Sequence, residues 1–198
     1  MNIFNRQDWI DNLTSLHQTL SEINLEDYVQ YIGDDNFPNS IDKEWFTLEP
    51  GKDHYRLLAY ISQQTDNTKI LEVGALFGNS ALAFSLNPSN LIYSFDTQDR
   101  ISLKQRPANV VFTKGDIFKH PEIILTSKII LVDTWHNVVD FEVPFFDFLK
   151  KHQYKGLVIL DDITMTPTMY NWWESIEEEK LDVSSIGHIN GTGLVFFK

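Results

Sequence analysis

Five short apolar runs punctuate the chain from residue 69 onward: Lys69–Val73 (KILEV), Leu91–Phe95 (LIYSF), Val110–Phe112, Ile129–Val132 (IILV) and Leu157–Leu160 (LVIL). Each is short and largely continuous in apolar character rather than alternating. Strands of a parallel sheet, buried on both faces, read this way. Helical spacing is predicted between most of them, over Ser80–Ser85, Ile117–Ile124, Val143–His152 and Met169–Lys180. The connection between the second and third runs carries a weaker helical signal. Alternating strands and helices predict an α/β fold, a Rossmann-like doubly wound sheet.

The two ends of the chain differ from this rhythm. Ahead of it, Ile10, Leu13, Leu16 and Leu20 recur at near-helical spacing, and Leu25, Tyr28, Val29 and Ile32 form a second stripe. Two short helices are predicted over residues 6–32. Turn formers at Gly33–Ser40 and the Glu49-Pro50-Gly51 break follow, and then a helix from about Asp53 to Gln64 that buries Leu57, Leu58 and Ile61. At the other end, Asp182–Ile189 and Gly193–Phe197 roughly alternate, with Asn190-Gly191-Thr192-Gly193 between them. Asn-Gly between strand-like runs predicts an antiparallel hairpin. The chain therefore divides into an N-terminal helical cover or lid (1–48) and an α/β body (49–198), with seven strands in all.

Charge sharpens that division. The net charge is −12, with ten acids and two bases in residues 1–50 and eighteen acids against fourteen bases beyond. Such acidity argues against a nucleic-acid partner. The absence of cysteine excludes disulfides, thiolate metal sites and cysteine nucleophiles. No apolar run approaches the ~18 residues of a membrane span, and the start lacks the pattern of a signal peptide. A cytoplasmic location is the expectation.

The first strand runs into Glu72-Val73-Gly74-Ala75-Leu76-Phe77-Gly78. Glycines between a strand and a helix permit a tight turn and close backbone approach to a ligand; a plain strand-to-helix turn would use them too. The dinucleotide pattern G-x-G-x-x-G is not met, and a carboxylate at Glu72 would repel a phosphate. It suits an ammonium or another cationic centre. The N–H groups at Asn79 and Ser80 favour an anion such as a carboxylate. Asp96 ends the second strand, where an acid accepts ribose hydroxyls or caps the strand. Asp116 follows the third strand and either accepts an adenine amine, with Ile117 or Phe118 on the ring, or caps the next helix.

ILEVGALFGNS, YSFD, KGDIF and the closing hairpin resemble the class I S-adenosylmethionine-dependent methyltransferases over residues 50–198. The resemblance implies a seven-stranded sheet with a reversed last strand. It also implies that Glu72, Gly74 and Gly78 surround the methionine part of S-adenosylmethionine, Asp96 its ribose and Asp116 its adenine.

Leu131-Val132-Asp133-Thr134-Trp135-His136 ends the fourth strand and Leu160-Asp161-Asp162 the fifth. Neighbouring strands lie ~4.8 Å apart, so Asp133, Asp161 and Asp162 are expected to crowd together. Three such carboxylates call for a cation or a shared proton, and oxygen donors suit Mg²⁺, Ca²⁺ or Mn²⁺. Capping roles for these acids remain the alternative. The D-x-x-H and D-D pair is similar to the metal-dependent O-methyltransferases acting on macrolide sugars and to related small-molecule enzymes. That resemblance implies Mg²⁺ on Asp133, Asp161 and Asp162, and His136 as general base, with Trp135 a departure from the family's small or acidic residue. The expected activity is S-adenosylmethionine-dependent methyl transfer to a hydroxyl of a small molecule. A nicotinamide-dependent oxidoreductase and a non-catalytic cofactor-binding module are the rivals.

Among the remaining candidates, Trp172 and Trp173 either wall a pocket or pack in the core, and Phe141, Phe145, Phe146 and Phe148 read as core. His54 and Tyr55 are candidates to approach the methionine carboxylate. His188 sits beside the hairpin turn, at a pocket rim or simply packed. Residues 1–48 form a cover, a lid or a surface for a second copy of the chain.

Overall fold

The computed structural model describes residues 1–33, 46–47 and 51–198. The expected turn at 34–40, the Glu49-Pro50 break and the boundary near residue 48 lie outside them. In chain order the elements are α1 (Arg6–Ser21), α2 (Gly51–Gln63), β1 (Lys69–Val73), α3 (Asn79–Phe84), β2 (Leu91–Asp96) and β3 (Val110–Lys114). Then come α4 (Pro121–Thr126), β4 (Ile129–Val132), α5 (Glu142–Lys151), β5 (Gly156–Asp161), α6 (Pro167–Ser175), β6 (Glu179–Asp182) and β7 (Thr192–Phe197).

The strands form one seven-stranded sheet in the order β3-β2-β1-β4-β5-β7-β6. The pairs β2–β3, β1–β2, β1–β4 and β4–β5 are parallel, whereas β7 runs antiparallel to both β5 and β6. The five apolar runs thus become the five parallel strands. Each face carries its own core. Ile70, Ile92, Ile129, Leu131 and Ile159 pack under α1, α2 and α3. Leu71, Val73, Ile130, Val132 and Leu160 pack under α4, α5 and α6, together with Phe145, Phe146 and Trp173.

The N-terminal segment belongs to the first of these cores. Asn5 starts α1 by accepting the N–H of Gln7 through its side chain at 2.9 Å. Trp9, Leu16 and Leu20 then fall on one buried face. Trp9 has no exposed surface and donates its indole N–H to the Ile3 carbonyl at 2.9 Å. The second predicted helix is a 3-10 turn, Glu26–Tyr31.

Three other expectations are corrected. The helix predicted over Ile117–Ile124 is broken at His120, because Pro121 disfavours the helical region for the residue before it. A 3-10 turn, Ile117–Lys119, precedes the break and α4 follows it. The helix predicted to reach Lys180 is α6, which starts at Pro167 under a Thr166 cap and stops at Ser175. Glu179 and Lys180 lie in β6 instead. The strand predicted over Asp182–Ile189 is a connection containing a 3-10 turn, Ser184–Ile186. Asp182 ends β6 by accepting the Ser184 N–H at 2.8 Å, a local turn that competes with the ladder. No described helix is long and apolar enough to cross a membrane.

Candidate active site

The carboxyl edge of the parallel strands gathers the candidate residues. At β1 the chain turns through Gly74 at φ 101° and Gly78 at φ 94°. A Cβ on Gly74 would lie 1.7 Å from the Asp133 carbonyl oxygen, so only glycine lets this loop rest against the end of β4. Gly74 and Ala75 both donate to the Phe95 carbonyl, at 2.8 and 3.1 Å. Asp96 secures the same loop, accepting the Leu76 N–H at 2.9 Å and the Gln98 N–H at 2.8 Å. A cavity of about 50 Å³ opens beside it, lined by Ala75, Asp96, Phe112 and Lys114 among others.

The other residues expected around a cofactor sit as follows. Glu72 has no exposed surface, and Ser94 donates its hydroxyl to the Glu72 carboxyl. Burial pushes the Glu72 pKa up to about 8 against the opposing effect of that bond. Ser80 is buried in the first turn of α3. Asp116 is exposed and caps the following turn, accepting the Phe118 N–H at 3.0 Å. Phe118 turns its ring to Phe141 and Phe145, with centroids 5.7 and 5.9 Å away.

The second cluster forms on the far side of the β1 loop, where β4 and β5 end. Asp133 follows β4; Asp161 ends β5 and Asp162 follows it. Both His136 and Asp162 adopt left-handed backbone conformations, at φ 53° and 57°. Such conformations are uncommon outside glycine, although His and Asp are among the residues that tolerate them best. The carboxylate of Asp162 is held from two sides, by His188 Nδ1 at 2.6 Å and His136 Nε2 at 3.2 Å. Behind His136 lies Glu142, fully buried, with Oε1 at 3.6 Å from His136 Nδ1 and accepting the Thr134 hydroxyl at 2.7 Å.

Asp161 Oδ1 also lies 3.5 Å from His188 Nδ1 and has a second companion in His54. His54 Nδ1 stands 3.5 Å from Asp161 Oδ1; both residues are nearly buried, at 3% and 4% exposure. Neither atom makes a hydrogen bond. An unsatisfied buried polar atom costs about 1–3 kcal/mol, so this pair calls for an explanation. The donor atoms of His54, Asp133 and Asp161 lie within 4.8 Å of one another, as do those of Asp161, Asp162 and His188. Nitrogen and oxygen ligands of one ion, with bonds of about 2.0–2.2 Å, stand about 3–3.6 Å apart, so a modest closing of either group would bring its donors onto one ion. The two groups share Asp161: Asp133 belongs to one and Asp162 to the other, and an imidazole joins each.

Topology explains how the histidines arrive. The segment 64–68 joins α2 to the start of β1, so the opening turns of α2 lie at the opposite, carboxyl edge. His54 shares its stripe with Leu57, Leu58 and Ile61, the i, i+3, i+4, i+7 face that packs on the sheet. His188 precedes β7, whose first residue Thr192 pairs with Asp161 because β7 is reversed. A parallel last strand would have carried that loop to the other edge. The rings of His54 and His188 meet at 5.5 Å between centroids.

Burial and crowding set the charges. Burial, then the charge of Asp161, holds Asp133 well above the ordinary carboxylate range. Burial lifts Asp161 to about 7. Burial opposes charge on Asp162, but His136 and His188 outweigh it and hold Asp162 below its usual value. Burial also opposes charge on His136, yet the carboxylates of Asp162 and Glu142 raise it to about 10. Burial, then His188, lowers His54 to about 3, which leaves a neutral imidazole.

This edge-on arrangement can be compared with known proteins. No sequence family and no curated protein matches the chain. Solved structures do. The O-methyltransferase TomG from Streptomyces achromogenes, solved with S-adenosylmethionine, aligns with a TM-score of 0.52 at 12% identity, over 84% of this chain and 92% of that one. A caffeoyl-CoA O-methyltransferase candidate from Staphylococcus aureus gives 0.56 at 15% identity, covering 92% and 97%. The O-methyltransferase of Bacillus cereus, in complex with SAH, gives 0.50 at 13%, covering 95% and 91%. The chain has the class I methyltransferase fold.

Within that fold the residues marked by sequence separate into two places. Gly74, Gly78, Glu72 and Asp96 surround the β1 loop, whereas Asp133, His136, Asp161 and Asp162 gather beyond it. Phe118 joins an aromatic cluster and Asp116 caps a turn. Glu142 carried no motif and was not singled out. His54 was marked for a different neighbour; its place on the apolar stripe of α2 was the signal that it would be buried.

Proposed function

We propose that this protein is an S-adenosylmethionine-dependent methyltransferase that methylates a hydroxyl of a small molecule with the assistance of a divalent cation. One observation carries the reading: the backbone of Gly74 rests on the carbonyl of Asp133. The loop that would underlie the methionine moiety is thereby packed against the strand end that opens the acid cluster. A methyl group held over that loop would face the acids.

In this reading Asp96 and the small cavity beside it take the ribose and adenine side. Asp96 keeps acceptor capacity after its two backbone bonds, since an ionised carboxylate has about four lone-pair sites. Asp116 is assigned to the cofactor on the resemblance, and Ser80 and Phe118 on their places at the start of α3 and beside Asp116. Asp133, Asp161 and Asp162, crowded at one edge, are the acids that would share the cation. The unsatisfied pair of His54 Nδ1 and Asp161 Oδ1 supports a cation between donors. Such a cation, when bound, lowers the proton affinity of an acceptor hydroxyl.

The chain's residues supply orientation and proton transfer. The acceptor oxygen attacks the sulfonium methyl in line; the O–C bond forms as the S–C bond breaks, leaving S-adenosylhomocysteine. The hydroxyl proton passes to His136. With Asp162 and Glu142 on its two nitrogens, His136 holds a proton too tightly for a base near neutrality. In this reading His136 would act as the base in its neutral form, which a cation held among the acids would favour by offsetting their charge. Around this edge the loops expose Trp135 at 86%, Met165 at 54% and Ile189 at 64%. An acceptor with an apolar body fits that rim.

Calorimetric titration of the full chain with S-adenosylmethionine and S-adenosylhomocysteine tests the reading. Binding of both, and none of NAD or NADP, is expected. Tight dinucleotide binding without S-adenosylmethionine binding would replace it with the oxidoreductase rival.

A further inference from the structure

We infer that His54 is a direct ligand of the divalent cation, through Nδ1, together with Asp133 and Asp161, while Asp162 stands outside the coordination sphere as the acid that positions His136 and His188. The inference rests on the cation-assisted reading above and revises its donor set.

Three observations carry it. First, His54 is almost wholly enclosed and its Nδ1 has no hydrogen-bond partner, although the Asp161 carboxylate stands 3.5 Å away with an oxygen equally unbonded. Two buried polar atoms that face each other without a hydrogen bond suit a cation between them. Second, the donor atoms of His54, Asp133 and Asp161 converge within 4.8 Å, and the three come from α2, the end of β4 and the end of β5. Elements anchored in one core hold the donors in fixed relation. Third, both oxygens of Asp162 are occupied, one by His188 and the other by His136. A carboxylate engaged at both oxygens has fewer lone pairs to offer a cation, and neither imidazole that Asp162 holds belongs to the His54 group.

A nitrogen donor changes which ion fits. Mg²⁺ prefers oxygen donors in near-ideal octahedral geometry and keeps several waters. Imidazole with carboxylates favours first-row ions such as Fe²⁺, Co²⁺ and Zn²⁺. The site described by His54, Asp133 and Asp161 is therefore selective for an imidazole-accepting first-row ion over Mg²⁺, a preference the acidic motif alone would not suggest.

Titration of the full chain with Co²⁺, followed by its visible absorption and by competition with Mg²⁺, tests this. The parent protein should bind Co²⁺ with d–d bands of a mixed nitrogen and oxygen site, and Mg²⁺ should displace it only in large excess. His54→Ala should weaken Co²⁺ by on the order of 10–100-fold or more, the scale at which even supporting residues matter, and free imidazole should restore part of the loss. Asp162→Asn should weaken it less than His54→Ala. S-adenosylhomocysteine binding by each variant reports that it is folded. If Mg²⁺ binds as tightly as Co²⁺, and Asp162→Asn abolishes binding while His54→Ala does not, the three-acid set is right; the inference then fails and cation assistance survives. If the parent binds no divalent ion, both fall, and the imidazoliums of His136 and His188 balance the acids.

Discussion

Glu72 lies at the end of β1 with no exposed surface, and burial lifts its pKa from 4.5 to about 8. The sign of the consequence follows from proton binding. Below the unfolded value both states hold the proton and the folded state is favoured in full. Between that value and about 8 the unfolded chain has released the proton while the folded chain still holds it, so stability falls as pH rises. Glu72→Gln removes this contribution. Denaturant midpoints measured from pH 5 to 8 should decline less in the variant than in the parent, and parallel declines would refute the assignment. At the same scale, the acids and glycines of the site were legible because each meets a local requirement. Gly74 and Gly78 take positive φ, and Asp96, Asp133 and Asp161 place carboxyls at strand ends. Glu142 was not legible, because its role comes from His136 and Thr134, which reach it only through the turn after β4.

Among the elements, α1 has the clearest energetic role. It joins the core over α2 and meets β6, where Arg6 donates to the Lys180 carbonyl at 2.8 Å. Trp9 is its fully buried anchor. Trp9→Ala should cost about 3–5 kcal/mol, the range for deleting a buried large aromatic. Urea unfolding measures it, and a loss within ~0.5 kcal/mol, typical of a surface change, would show that α1 is only loosely attached. The parallel strands and the helices between them were legible because their apolar runs and stripes have distinct periods. The stretch from Ile176 to Ile189 was misread. There apolar residues at Ile176, Leu181, Val183 and Ile186 fit more than one period, and the Asp182 turn, not propensity, decides where β6 stops.

Across the whole molecule, the site is divided among strands that no local pattern joins. The residues proposed for the cofactor cluster around the β1 loop and the acids around the ends of β4 and β5, so substitutions should separate the two proposed functions. Asp161→Ala is expected to reduce methyl transfer on the order of 100-fold while S-adenosylhomocysteine still binds. Turnover assays beside calorimetry check this; unchanged turnover would remove the acids from the chemistry. The uneven charge fits the same division. The acidic excess lies mostly in the first fifty residues, while six acids of the body (Glu72, Asp96, Asp116, Asp133, Asp161 and Asp162) belong to one edge of the sheet.

The order of apolar runs was enough to specify strands, helices on both faces and a reversed tail, because each depends on neighbours a few residues away. The carboxyl-edge acids followed once the strands were placed in parallel. The meeting of His54, His136 and His188 around those acids was decided by the tertiary structure alone. His54 comes from a helix before the sheet, His136 from a left-handed turn after β4, and His188 from a loop brought round by a strand of opposite direction. Sequence spacing carries no record of such encounters; packing and strand polarity do.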